Sequence, residues 1–197
     1  MATQHSDPQQ LTGRKPNTRW RVVDIVVASV IAVAVGVVFW AWSQGYAGIA
    51  IITSAFPPLA GLYGGGWLIA GVLGGLLIRK PGAALYCELL AAAVEGLLGT
   101  HFGMTVIISG FFQGLGAELV FAAFRYRKWN LPVVLLAGLV SGIAMGVNEN
   151  FLYNVEWAAE WKLVYVLFTS ISGVVVAGLL SWLAYKALLK TGVLSGL

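Results

Sequence analysis

With 197 residues, 59% of them hydrophobic and 10% charged, and a mean hydropathy of +0.84, the chain carries too little charge to cover a water-soluble globule, in which about a quarter of residues are charged. Long unbroken apolar runs suit helices in a bilayer and exclude barrel strands, which alternate. The net charge of +4 sits in short clusters between those runs, the pattern of a topology signal and not of a nucleic-acid-binding surface.

Residues 1–21 are polar, contain Pro8 and Pro16, and read as a disordered cytosolic tail without a cleavable leader. The membrane domain takes 22–197. A bilayer core needs about 20 apolar residues per helix, which predicts spans near 22–43, 57–79, 81–99, 103–125, 131–153 and 163–189. The stretch 44–56 is the least regular. Its apolar run Ile49–Phe56 meets Pro57-Pro58 and then Gly64-Gly65-Gly66, which predicts an interfacial or re-entrant loop, or a short seventh span. Charge decides between them. With six spans and the N-terminus inside, Arg14, Lys15, Arg19, Arg21, Arg79, Lys80, Arg125, Arg127, Lys128, Lys186 and Lys190 are all cytosolic. Only Lys162, beside Glu156 and Glu160, is outside. The predicted fold is therefore an all-α membrane protein, a six-transmembrane-helix bundle with both termini cytosolic.

Small residues recur every four positions in Ala28-Ala32-Gly36, Gly71-Gly75, Gly110-Gly114 and Gly138-Gly142-Gly146. Such ladders let helix backbones approach closely. The first is the candidate for docking another membrane protein.

A carboxylate inside a span costs about 2.5–3.5 kcal/mol on insertion scales. Glu88, Glu95, Glu118 and Glu149 fall inside predicted spans, with Gln113 and Asn148, and no intramembrane Lys or Arg accompanies them. Glu88 and Glu95 share one helix face. Helical rise puts Glu95 and Glu149 each about 6 Å from the outer end of its span, and Glu88 about 10 Å from the inner end. The same outer end carries Trp40, Trp42, Tyr46, His101, Phe102, Tyr153, Trp157 and Trp161. These read as an interfacial belt, or as walls of a site for a flat organic cation. Cys87 is the single cysteine, so there is no disulfide framework and no cysteine-based metal set. Phosphate-loop, zinc-helix and nucleophile-elbow motifs are missing, so no catalytic residue, metal or cofactor is predicted.

The segment Arg79-Lys80-Pro81-Gly82-Ala83-Ala84-Leu85, followed by Glu88 and Glu95, and then Gln113-Gly114-Leu115-Gly116-Ala117-Glu118, resembles the YkoE family over about residues 19–197. These are substrate-binding S components of energy-coupling factor (ECF) transporters of the ABC class, specific for thiamine or its hydroxymethylpyrimidine precursor. The resemblance implies a non-catalytic subunit in a bacterial plasma membrane. It would capture its ligand at the outer face and work with a transmembrane T component and a pair of ABC ATPases. It further implies docking through an A-x-x-x-A pattern on the first helix, which Ala28 and Ala32 match, with Gly36 continuing the row. Glu95 becomes the expected polar anchor. Glu88, Gln113, Glu149 and Asn150 are further polar contacts, and Trp40, Trp42, Tyr153 and Trp157 are stacking candidates. The rival readings are a self-sufficient carrier or channel for an organic cation, an S component for a different vitamin, and an intramembrane enzyme using paired glutamates.

Overall fold

The computed structural model describes residues 18–192. The tail predicted for 1–21 lies outside the described residues up to residue 17. Among the described residues every regular element is helical.

Helix α1 (Val22–Ile52) starts on a reciprocal cap. The Arg21 amide donates to Asp24 Oδ2 at 2.8 Å and the Arg21 guanidinium donates to Oδ1 at 2.8 Å. Lys80 Nζ lies 3.8 Å from the same carboxylate, which is buried despite its charge. The helix runs on to Ile52 instead of ending at 43. Nothing in 44–52 breaks a helix, whereas the residue before a proline is driven out of helical geometry. Pro57-Pro58 then opens a 3₁₀ helix, Pro57–Leu68, which continues as α2 (Ile69–Ile78). Prolines suit a helix start, where their missing N–H would be unpaired anyway.

Helix α3 spans Ala83–Leu98. Helix α4 (Val106–Ala123) follows one 3₁₀ turn, Gly103–Thr105. Helix α5 (Leu131–Leu152) is capped by Asn130, whose Oδ1 accepts from the Val133 amide at 3.3 Å. Helix α6 (Ala159–Ser172), a π-helical stretch Gly173–Leu179 and α7 (Leu180–Thr191) form one continuous rod. Five of these helical segments are long and apolar enough to cross a membrane: Val22–Ile52, Pro57–Ile78, Gly103–Ala123, Leu131–Leu152 and Ala159–Thr191. At 16 residues, α3 is shorter.

The segment Pro57–Ile78 fills the middle and is mostly buried, whereas most of α1 is not. The other helices surround it in the order α1, α3, α4, α5, α6, each packed on the next. Glycines set these distances. A Cβ on Gly116 would lie 2.9 Å from Ser141 Cα of α5, and one on Gly142 would lie 2.9 Å from Ser170 Cα of α6.

The first-helix ladder packs closely against α3. Ala28 and Ala32 have no exposed surface, and a Cβ on Gly36 would lie 2.7 Å from both the Ala91 carbonyl and Val94 Cβ. Ala28 and Ala32 pack with Ala83 and Cys87 of α3. The small-residue face of α1 therefore lies along α3, where its small side chains permit close backbone approach.

Candidate functional site

Helix α3 leaves the Arg79–Gly82 turn and α5 leaves the Arg125–Asn130 turn, so both end at the pole opposite those basic turns. Trp20 Nε1 donates to the Pro81 carbonyl at 2.9 Å, which fixes the start of α1 at the basic pole and its end at the other. At that remote pole the helices line a cavity that is open at its mouth. Glu95, near the end of α3, and Glu149, near the end of α5, both line it.

Each carboxylate is held by one oxygen. Glu95 Oε1 accepts from Trp67 Nε1 at 3.2 Å and from Thr100 Oγ1 at 2.9 Å. Glu149 Oε2 accepts from the Tyr165 hydroxyl. The second oxygen of each takes no hydrogen bond from a described residue, and neither is sealed in protein, so both face the cavity. The Gln113 side-chain amide lines the same space, also without a partner among the described residues, while its backbone carbonyl accepts from Ser141 Oγ at 2.7 Å. Ser109, another lining residue, accepts from Asn148 Nδ2 at 3.1 Å.

Aromatic rings make the walls. Phe102 is the hub, with ring centroids 5.0 Å from Tyr46, 5.6 Å from Trp67 and 5.6 Å from Tyr153, all tilted or edge-to-face. The Tyr153 hydroxyl is held by Thr105 Oγ1 at 2.7 Å. Among the described residues no Lys, Arg or His lines the cavity.

Of the residues expected from sequence, the structure brings together Glu95, Gln113, Glu149 and Tyr153. The others stand elsewhere. Glu88, one heptad back along α3, is wholly buried, and its Oε2 accepts from the Gly71 amide. Trp40 is 36% exposed on the outer surface of α1, because the neighbouring Phe39 takes the inward position. Trp42 stacks flat on Tyr63 with centroids 4.2 Å apart and donates to the Tyr63 carbonyl at 3.1 Å. Asn150 donates to the Lys162 carbonyl at 3.0 Å, one residue past the position that faces inward. Trp157 stands edge-on behind Tyr165 at 5.5 Å, backing a lining residue instead of being one.

Tyr46 and Phe102, read from sequence only as belt or wall aromatics, line the cavity, as do Trp67, Met145 and Tyr165, which the sequence did not single out. Helical spacing held a signal for some of them. Phe39 and Tyr46 lie seven apart on α1, and Met145 lies one turn before Glu149. Trp67 had no such signal, since it sits in a 3₁₀ stretch.

A second carboxylate site lies at the basic pole. Glu118 of α4 accepts the Gly82 amide at 2.6 Å and the Ala84 amide at 3.0 Å, closing the first turn of α3. It also accepts from the Tyr126 hydroxyl at 2.7 Å. An anion at a helix N-terminus meets unpaired N–H groups and the positive end of the dipole. Burial, and after it the bond to Glu118, hold the Tyr126 phenol above its ordinary range, so it stays a donor.

A family model described as "ABC-type cobalt transport system, permease component" matches residues 23–144. The chain is 39% identical over 181 residues to the "Putative HMP/thiamine permease protein YkoE" of Bacillus subtilis (strain 168), covering 90% of this chain and 89% of that one. It is also similar to a structure titled "Crystal structure of an S-component of ECF transporter", with a TM-score of 0.77 and 35% identity, covering 91% of this chain and 90% of that one.

Proposed function

This chain belongs to the YkoE family of ECF-transporter S components, and from that premise we propose that it captures thiamine or its hydroxymethylpyrimidine precursor for import. The observation that carries the reading is one cavity in which two carboxylates and an amide offer free polar atoms between aromatic walls. An aminopyrimidine presents N–H donors to a carboxylate, and a charge-assisted bond of that kind is about twice as strong as a neutral one. Glu95 is the anchor, oriented by Trp67 and Thr100. Glu149 and Gln113 supply further polar contacts, and Tyr46, Trp67, Phe102 and Tyr153 supply faces or edges for the rings. A thiazolium is attracted both by the second carboxylate and by the aromatic quadrupoles.

The family description names cobalt. The lining donors are oxygens, amides and the single thioether of Met145, with no His or Cys among the described residues, whereas imidazole and thiolate are the usual means of selecting a transition metal. The donor set therefore favours a ring compound.

The chain crosses the bilayer six times in this reading, with both ends cytosolic and the cavity open to the outside. The basic turns at one pole support that orientation by the positive-inside rule. At 1.5 Å per residue, the 16-residue α3 is about 24 Å long, a mismatch that local thinning and its polar flanks can absorb. The plasma membrane of a bacterium is its setting. A T component and a pair of ABC ATPases are its partners; ATP hydrolysis lies on them, and this chain is non-catalytic.

The test is a titration of the purified chain in nanodiscs with thiamine and with hydroxymethylpyrimidine, followed by tryptophan fluorescence. Saturable quenching is expected, because Trp67 forms a wall of the site. No measurable affinity for either compound would sink the reading. Glu95→Gln is expected to weaken binding about 10- to 100-fold, the size of one charge-assisted hydrogen bond.

A further inference from the structure

We infer that the cavity admits only the unphosphorylated forms of its ligand, neutral or cationic, and rejects their phosphate esters; this rests on the reading of the site given above. Phosphate recognition uses Arg or Lys side chains, or clustered backbone N–H groups at a helix N-terminus. The lining contains no basic side chain. Its two ionisable acids, Glu95 and Glu149, are both buried, and each turns one oxygen to the cavity without a partner among the described residues. A phosphate there would meet two acids and no counter-charge.

The basic groups nearest the mouth do not change this balance. His101 is exposed, with its ring 5.3 Å from Phe102 and 6.3 Å from Tyr46, and is not among the lining residues. Lys162 is half-buried, and its Nζ donates to the Val155 carbonyl at 2.7 Å. Helix dipoles do not help either. The C-termini of α1, α3 and α5 and the N-termini of the Pro57–Leu68 helix, α4 and α6 come together at this pole, so ends of opposite sign offset one another.

A phosphate beside two acids finds neither a basic side chain nor a cluster of backbone N–H groups among the described residues, so the ester is expected to bind at least about 100-fold more weakly than the alcohol. The experiment is a parallel titration of the chain in nanodiscs with thiamine, thiamine monophosphate, hydroxymethylpyrimidine and hydroxymethylpyrimidine phosphate. The expected result is saturable binding of the two alcohols and at least that loss for each ester. Esters that bind within threefold of their alcohols would overturn the inference while leaving the proposed function intact. Failure of all four to bind would overturn both. Glu149→Gln removes one of the opposing charges and is expected to narrow the ester-to-alcohol gap. An unchanged gap in a variant that still binds the alcohol would show that repulsion by the carboxylates does not set the selectivity.

Discussion

Each glutamate buried in this chain has its own set of partners, and the partners decide its role. Glu118 satisfies two amides of the α3 start and a tyrosine hydroxyl. Truncating it leaves those donors unpaired, and a bond to a charged group is worth about 1.5–3 kcal/mol. Glu118→Ala is therefore expected to lower the thermal midpoint in detergent clearly, and Glu118→Gln, which keeps one acceptor, to lower it less. Both should leave ligand affinity close to wild type in the fraction that folds, since the site lies at the other pole. Glu88 makes one bond, from the Gly71 amide, and its Oε1 has no partner. A glutamine there keeps the acceptor and removes a buried ionisable group. Glu88→Gln should match wild type within about 1 kcal/mol, whereas Glu88→Leu strands the Gly71 N–H at about 1–3 kcal/mol. Chemical unfolding of the two variants checks this pair. A Glu88→Gln variant that folds but no longer binds ligand would contradict the placement of Glu88 outside the site.

At the scale of elements, close backbone contact dominates. In lipid there is no hydrophobic drive between helices, so association rests on packing, hydrogen bonds and small residues. The α5 ladder is the clearest case. Gly142 faces the backbone of α6, and a methyl group there would lie 2.9 Å from both Ser170 Cα and the Thr169 carbonyl carbon. Gly142→Ala is expected to destabilise by about 1–3 kcal/mol, the usual cost of overpacking. Gly48 sits in α1 with nothing within 4 Å of an added Cβ. There Gly48→Ala should be neutral or stabilising by up to about 1 kcal/mol through helix propensity. Melting curves of the two variants separate packing from propensity. The buried first-helix ladder gives a related test. Ala32→Leu should disrupt the isolated chain, because the methyl faces α3. An isolated Ala32→Leu chain that melts like wild type would contradict that packing.

For the whole molecule, two poles divide the work. One holds the basic turns and the Glu118 clamp; the other holds the cavity. Reconstituted alone in proteoliposomes without ATP, the chain is expected to bind ligand but not accumulate it. Uptake by the chain alone would instead support a self-sufficient carrier.

The sequence alone determined that this is a multi-pass helical membrane protein, and which of its spans carry acids. It also determined the family, through the RKPGAAL and QGLGAE segments. The tertiary structure gives those segments a physical link, since Glu118 of the second caps the helix that the first begins. Hydropathy and charge are local sums along the chain, and a bilayer reads them directly, so they were legible. Depth was legible for the same reason: helical rise put Glu95 and Glu149 at one level, and both line the cavity. Azimuth was not. Whether Trp40 or Phe39 faces inward, or which helix the α1 ladder lies along, depends on which neighbour comes closest. At the α1–α3 contact that approach is set by small residues on both helices. Trp67 and Tyr46 became walls of the site, and Trp42 and Trp157 their supports, only when the helices had packed.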